Sequence, residues 1–148
     1  MTLPITGGCA CGAIRYESTA EPLGMFRCHC RDCQRATGGP CSWVAIFAAE
    51  AFRFTGGTPR FHSSERASGG LHARGFCAEC GSPLTGGQGD PPTPYVGVHV
   101  ASLDDSTWFR PQMDIFRSRA QPWDRPDPAL PQWDAYAPGG KERPAERA

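Results

Sequence analysis

The stretch Cys77-Ala78-Glu79-Cys80-Gly81 ends in cysteine followed by glycine, and so does the stretch Cys9-Ala10-Cys11-Gly12 near the start of the chain. Glycine adopts positive φ without steric cost, so each stretch can form a tight turn that points backbone N–H groups at metal-bound sulfurs. Thiolates two or three residues apart can meet at one tetrahedral zinc, at about 2.3 Å each, and four of them complete a closed structural site. We therefore predict a structural zinc that joins two distant segments through Cys9, Cys11, Cys77 and Cys80.

A third group of cysteines, Cys28-His29-Cys30-Arg31-Asp32-Cys33, is not followed by glycine. The next four residues all tolerate a helix, and a helix over 30–37 would place Cys30 and Cys33 on one face. Three protein thiolates and an open fourth position are the arrangement of a catalytic zinc. The spacing predicts a second, catalytic zinc on Cys28, Cys30 and Cys33, which gives two zinc ions per chain.

Other side chains compete for the fourth position of this second site. His29 lies between two of the ligands, where its side chain is expected to point away from theirs. Cys41 follows the turn Gly38-Gly39-Pro40, which can bring it near. Either ligand would make the second site structural as well, although for Cys41 we favour a buried thiol without metal. His99, which interrupts the apolar run 96–100, is a further weak candidate for the chemistry.

Composition narrows the class of protein. The 148 residues suffice for one domain, and no apolar run approaches the roughly 18 to 20 residues of a membrane-spanning helix. Fifteen basic residues cancel fifteen acidic ones, which argues against nucleic acid as a partner. No secretory leader is visible, so we expect a cytoplasmic protein, in which reduced thiols favour metal binding over disulfides for the eight cysteines.

Short alternating or apolar runs between Gly and Pro residues predict a mainly β fold with metal sites on loops. We predict one helix at 30–37, a further helical turn at 104–108, and loops at 63–70 and 85–94, which are rich in turn residues. The predicted strands are 13–17, 23–28, 42–47, 52–55, 60–64, 71–76 and 95–100.

The C-terminal part of the chain is rich in proline. We predict that residues 1–125 form the zinc-binding domain and that residues 126–137 fold back on its core as a strap, through aromatic residues such as Trp133. Residues 138–148 add glycine and charge and are predicted to be disordered.

The three cysteine groups, in this order and at these spacings, resemble the glutathione-dependent formaldehyde-activating enzyme (GFA) family, also called the centromere protein V (CENP-V) family. The resemblance rests on GCACGAIRY at 8–16, CHCRDCQRATG at 28–38 and FCAECGSPL at 76–84. It implies stacked, twisted antiparallel sheets of the β-tent type, a structural zinc, and a three-cysteine zinc at the active site. It also implies carbon–sulfur lyase chemistry, in which glutathione adds reversibly to formaldehyde. Asp114 stands where relatives often have histidine.

Two classes of function stay open on the sequence alone. The leading hypothesis is a zinc-dependent lyase of the S-(hydroxymethyl)glutathione synthase type, with a small thiol and an aldehyde as partners and homo-oligomer formation left open. Arginine forks suit the carboxylates of glutathione, and the candidates are Arg35, Arg60, Arg66 and Arg74. The alternative is a non-catalytic binding module in which both zincs are structural. A redox or metal-buffering protein is a weaker hypothesis, because it would not need the patterned strands between the cysteines.

Overall fold

The computed structural model describes residues 1–65, 69–90 and 92–138. Within these residues, no helix is long and apolar enough to cross a membrane. The helix α1 spans Arg31–Thr37, and 3₁₀ turns occur at Ala49–Ala51, Val100–Ser102 and Arg117–Arg119. The strands are β1 (Ile5–Gly8), β2 (Arg15–Ser18), β3 (Gly24–Cys28), β4 (Ser42–Ala48), β5 (Phe52–Gly56), β6 (Arg60–Glu65), β7 (Leu71–Phe76), β8 (Pro83–Gln88), β9 (Tyr95–His99) and β10 (Asp114–Ile115).

These strands form two sheets. One has three strands in the order β1-β2-β5, and the other has seven in the order β10-β3-β4-β9-β8-β7-β6. The mainly β fold of stacked sheets is therefore confirmed. The pairs of strands are antiparallel, as predicted, except at one edge of the described sheet, where β10 runs parallel to β3. A short hairpin can join only antiparallel strands. Because a long connection separates β9 from β10, the chain can enter β10 in the direction that is parallel to β3.

The core lies between the two sheets. On the three-stranded side, the ring of Tyr16 contacts those of Phe52 and Phe54, with centroid distances of 5.3 and 6.4 Å. The seven-stranded sheet completes the core with Ala45, Phe47, Leu84, Val96 and Val98. Because side chains alternate between the two faces of a sheet, the intervening residues of these strands point away from the core.

We call the side of the seven-stranded sheet that is turned away from the core its outer face. Val98 belongs to the core, so its neighbour His99 lies on the outer face, opposite Val44 of β4. Ser42 is two residues from Val44 and shares its side of the sheet, and Cys28 is the partner of Ser42 on β3. By the same alternation the outer face carries Cys28, Ser42, His62, Arg74 and His99.

All seven predicted strands are present, and their ends differ from the prediction by two residues at most. The sequence analysis missed β1, β8 and β10. The predicted loop at 85–94 is wrong over its first residues, because Leu84 and Thr85 are fully buried and β8 pairs with strands on both sides. The helical turn predicted at 104–108 is also absent from these described residues, since Asp105 accepts the backbone N–H of Thr107 and forms a side-chain turn instead.

Residues beyond 125 contact the region around β10. The backbones of Asp114 and Gln132 form a parallel β-bridge. The N–H of Phe116 donates to the carbonyl of Ala135 at 3.1 Å, and the ring centroids of Phe116 and Tyr136 are 4.8 Å apart. The division of the chain at 125 stays a prediction. Of the tail predicted to be disordered, residues 139–148 lie outside the described residues.

Leu84 provides a test of this packing. Its side chain has no solvent exposure, so Leu84→Ala leaves a cavity that the surrounding strands cannot fill. We expect the free energy of unfolding, measured by denaturant titration, to fall by about 2 to 5 kcal/mol. Leu23→Ala is the matched control, because Leu23 is 69% exposed and its truncation should cost about 0.5 kcal/mol or less. Equal losses for the two variants would contradict the described core.

Candidate metal centres

Four thiols from the two Cys-Gly turns come together. The sulfur atoms of Cys9, Cys11, Cys77 and Cys80 all lie within 4.8 Å of one another. The sulfurs of Cys9 and Cys11 are 3.5 Å apart, and those of Cys11 and Cys77 are 3.8 Å apart. A tetrahedral ion with metal–sulfur bonds of about 2.3 Å would separate its ligands by about 3.8 Å. This four-cysteine group could therefore hold one metal ion.

The backbone of both turns takes the form that glycine allows. The φ angle is +77° at Gly12 and +76° at Gly81, a region that other residues rarely adopt. The N–H of Gly12 donates to the carbonyl of Cys9, and the N–H of Gly81 donates to the carbonyl of Cys77. The two turns thus share the conformation that the sequence predicts for them.

Ser82 links one turn to the other. Its hydroxyl oxygen accepts the backbone N–H of Ala10 at 3.1 Å and lies 3.2 Å from the sulfur of Cys80. The hydrogen bond with Ser82 lowers the pKa of Cys80 to about 5. On the other turn, the N–H of Ile14 donates to the sulfur of Cys9 at 3.2 Å. These donors stabilise thiolates, the form in which cysteine binds a metal.

Three further thiols meet where β3 ends and α1 begins. Cys28 is the last residue of β3, Cys30 precedes the helix as its N-cap, and Cys33 lies in the first turn. The N–H of Cys33 donates to the sulfur of Cys30 at 3.4 Å. Their three sulfurs also lie within 4.8 Å of one another. The helix begins one residue later than predicted, but the three-cysteine group still forms and could hold a second ion.

Charge is distributed unevenly over this three-cysteine group. Hydrogen bonds from Cys28 and Cys33 lower the pKa of Cys30 to about 2, and the positive charge of Arg74 acts in the same direction. The hydrogen bond with Cys30, together with burial, raises the pKa of Cys28 well above its ordinary value. Cys30 therefore ionises first, and Arg74 on the outer face stabilises the charge that forms.

The structure brings neither His29 nor Cys41 into a thiol group of the described residues. Cys41 is buried apart from both groups, and burial raises the pKa of its thiol to about 11. His29 is also buried, but its ring lies among charged side chains rather than among sulfurs. The fourth position of the three-cysteine group is thus not filled by either of the two residues that the sequence offered for it.

The charged side chains around His29 form a buried network behind the Cys28–Cys30 loop. Arg27 donates from Nε and Nη2 to the two carboxylate oxygens of Asp114, at 2.5 and 2.6 Å, and Asp114 is fully buried. The ring nitrogens of His29 lie 3.4 Å from Asp114 Oδ1 and 2.8 Å from Asp124 Oδ2. Arg117 lies 3.5 Å from Asp124, so two arginines and two aspartates surround His29. This network fixes the loop that carries two of the three thiols.

Two adjoining cavities lie beside α1 on the outer face. The inner cavity, of about 220 Å³, is lined by Arg74, His99 and Gly81, among others. The outer cavity, of about 290 Å³, is lined by Arg35 and Asp32, and both cavities are lined by Ala36, His62 and Arg74. Of the four arginines proposed to bind carboxylates, Arg35 and Arg74 thus line a cavity. Arg60 is exposed on β6 and lines neither of these two, and Arg66 lies outside the described residues.

The sequence model of the glutathione-dependent formaldehyde-activating enzyme family matches residues 4–119, a range that includes both thiol groups. The chain belongs to this family. The fold is also similar to that of a Rhodobacter sphaeroides protein, a structural genomics target whose crystal structure has a TM-score of 0.55 and 22% sequence identity, over 86% of this chain and 98% of that chain. No curated protein matches the sequence.

Membership of the glutathione-dependent formaldehyde-activating enzyme family confirms the resemblance carried by the three cysteine groups. Sequence reasoning missed Ser42, whose hydroxyl lies 3.1 Å from the Nδ1 atom of His99, and the network around His29. The sequence analysis noted Asp114 only as a position where relatives often have histidine. In the structure, Asp114 forms a buried ion pair with Arg27, which gives it a structural role. The CENP-V resemblance and the cytoplasmic location stay predictions.

The pair between Arg27 and Asp114 can be tested against a matched exposed pair. Asp114→Ala leaves Arg27, whose side chain is 11% exposed, without its counter-charge, and should lower the free energy of unfolding by about 3 to 5 kcal/mol. Arg15 and Asp104 form a comparable pair, but their side chains are 40% and 45% exposed. Asp104→Ala should therefore cost about 1 kcal/mol or less by denaturant unfolding. If the two variants lose the same stability, the buried network does not hold the fold.

Proposed function

We propose that this chain is a zinc-dependent carbon–sulfur lyase that reversibly adds a thiol of the glutathione type to a small aldehyde such as formaldehyde. The observation that carries the proposal is an incomplete set of thiols beside a cationic cavity. Within the part of the chain that the structure describes, Cys28, Cys30 and Cys33 have no fourth thiol, imidazole or carboxylate in the group. Arg74 both acts on these thiols and lines the neighbouring cavity.

Zinc suits the donors of both groups, because soft thiolates in tetrahedral sets of three or four are typical zinc ligands. In the three-cysteine group, bound zinc would leave one position for a substrate thiol and would lower the pKa of that thiol so that it ionises at neutral pH. The four-cysteine group is complete, so we assign it a structural role. It fastens the turn after β1 to the turn after β7, through Cys11 and Cys77, which lie 66 positions apart in the sequence.

The cavities provide positive charge for a substrate that carries carboxylates. Glutathione has two carboxylates, and the planar fork of arginine is well shaped to bind them. The lining contains Arg35 and Arg74 against a single acidic residue, Asp32. The Nη1 atom of Arg74 donates to the hydroxyl of Ser64 at 3.3 Å, which helps to orient the guanidinium. We propose that these two arginines hold the thiol substrate in line with the three-cysteine group.

The bond changes in the proposed reaction are simple. The substrate thiolate donates an electron pair to the carbonyl carbon, so that a carbon–sulfur bond forms while the carbonyl π pair moves to the oxygen. A proton from water completes the hydroxyl group. The reverse reaction returns the proton to water and breaks the carbon–sulfur bond. The protein residues are needed to bind the thiol, orient it and stabilise the negative charge that develops on oxygen.

Replacing one cysteine in each group separates the two proposed roles. Cys30→Ser should remove one of two zinc ions, as measured by elemental analysis, and abolish the faster loss of free thiol in a mixture of glutathione and formaldehyde. Its melting temperature should fall by only a few degrees, because the four-cysteine group still joins the sheets. Cys80→Ser should prevent soluble folding, since structural zinc contributes roughly 10 to 16 kcal/mol in small peptides.

The outcome that favours the binding module is equally definite. If the wild type does not accelerate thiol loss above the uncatalysed rate and Cys30→Ser unfolds as completely as Cys80→Ser, both metals are structural. A soluble Cys80→Ser protein with a normal melting temperature would instead contradict the role of the four-cysteine group. A single metal ion in the wild-type protein would contradict the assignment of two zinc sites.

Arg74 and Arg60 form a matched pair for testing substrate binding, because they lie on neighbouring strands and only Arg74 lines the cavities. Arg74→Ala should raise the KM for glutathione about tenfold or more, since a hydrogen bond to a charged group contributes about 1.5 to 3 kcal/mol. Arg60→Ala should leave this KM unchanged. With 2-mercaptoethanol, which has no carboxylate, Arg74→Ala should raise the KM much less than with glutathione, because only the effect of its charge on the thiolates is then lost, and Arg60→Ala should leave the KM unchanged. An equal rise in KM for both thiols would contradict carboxylate recognition by Arg74.

A further inference from the structure

His99 is the one histidine of the chain that combines a place in the inner cavity with a buried hydrogen-bond partner among the described residues. Its Nδ1 atom lies 3.1 Å from the hydroxyl oxygen of Ser42, which is 1% exposed. Both side chains lie on the outer face, and Ser42 is the ladder partner of Cys28. His99 therefore shares its side of the sheet with the three-cysteine group and with Arg74.

The surroundings of Ser42 decide which ring nitrogen of His99 carries the proton. A buried hydroxyl group whose hydrogen has no acceptor destabilises the fold. Among the described residues, the hydroxyl of Ser42 forms its hydrogen bond with His99. Ser42 must then donate to Nδ1, so Nδ1 is the accepting nitrogen and the proton of the neutral ring resides on Nε2. With Nδ1 engaged, Nε2–H is the group that remains to face a ligand in the inner cavity.

We infer that His99 is the hydrogen-bond donor to the oxygen of the aldehyde as the carbon–sulfur bond forms, and that Ser42 is the positioning residue that keeps the donor proton on Nε2. This inference rests on the proposed function and adds to it the group that stabilises the developing oxyanion. The donor acts as a neutral imidazole throughout. The thiolate pair forms the carbon–sulfur bond, the carbonyl π pair moves to oxygen, and water supplies the proton that completes the hydroxyl.

The charges around His99 are consistent with a neutral donor. Burial, and after it the positive charge of Arg74, lower the pKa of His99 to about 4, so the ring carries no charge at neutral pH. A neutral imidazole does not attract an anion into the cavity, whereas a cationic imidazole would compete with Arg74 for the substrate carboxylate. A donor fixed before the reaction also needs no reorganisation when charge develops on the oxygen.

The inference can be tested with two replacements of His99. His99→Leu removes the donor and should lower kcat for glutathione and formaldehyde about 10²-fold, as is typical for the loss of one oxyanion donor. Its KM for glutathione and its content of two zinc ions should stay at the wild-type values. His99→Gln keeps an N–H group near the position of Nε2 and should retain kcat to within about tenfold. His72→Leu is the control, because His72 lies on β7 and lines neither described cavity.

A spectroscopic measurement makes the test independent of turnover. Nitrogen-15 NMR of the imidazoles in the zinc-loaded protein should show His99 with its proton on Nε2, and Ser42→Ala should shift that ring towards a mixture of tautomers. A proton found on Nδ1 in the wild type would overturn the role of Ser42. If His99→Leu keeps the wild-type kcat, or if it loses zinc or glutathione binding together with kcat, the donor role is wrong. A wild type without activity would contradict the proposed function, while the tautomer would still support or refute the pairing of His99 with Ser42.

Discussion

Side chains alternate between the two faces of a β-strand, and this constraint separates the core of the seven-stranded sheet from its proposed chemistry. Ala45, Phe47 and Val98 occupy one face and pack against the three-stranded sheet. On the outer face, Ser42 and His99 alternate with these core residues and lie beside α1 and the two cavities. A single-residue shift in the register of β9 would exchange His99 with Val98 and damage both the core and the cavity. Packing and function therefore depend on the same register.

The two thiol groups differ in the distance along the chain that they join. The four-cysteine group joins Cys11 and Cys77, which lie 66 positions apart, and closing this loop costs only a few kcal/mol of entropy on a logarithmic scale. The three-cysteine group is local, because a strand end and the first turn of a helix already place Cys28, Cys30 and Cys33 together. The local group needs little metal binding energy for its own formation. A metal ion held there can therefore bind a substrate as its fourth ligand with less effect on the stability of the fold than a metal ion in the four-cysteine group would have.

Local features were predictable from the sequence, and features made by distant residues were not. Spacing alone indicated both Cys-Gly turns and the helix beside Cys33, because each depends on a few neighbouring residues. Strand β8 was missed because its glycines favour turns, and only pairing with strands on both sides makes them part of a sheet. The pairing of Arg27 with Asp114 joins residues 87 positions apart, and the hydrogen bond of Ser42 to His99 spans 57. No local pattern reports such contacts, although the interruption of an apolar run by His99 did mark the residue that faces the cavity.

The charged side chains on the two sides of the Cys28–Cys30 loop have different roles. Behind the loop, Arg27 lies beside Asp114 and Arg117 lies beside Asp124, so each of these arginines has an acidic partner and the network supports the loop. In front of it, three thiolates around a divalent cation would leave one uncompensated negative charge, and a substrate thiolate would add another. Arg74 lies where it stabilises that charge, and its influence also reaches Cys33 and His99. An arginine at this position can therefore attract an anionic thiol, stabilise the thiolates and keep the histidine neutral, and the proposed thiolate addition uses all three effects.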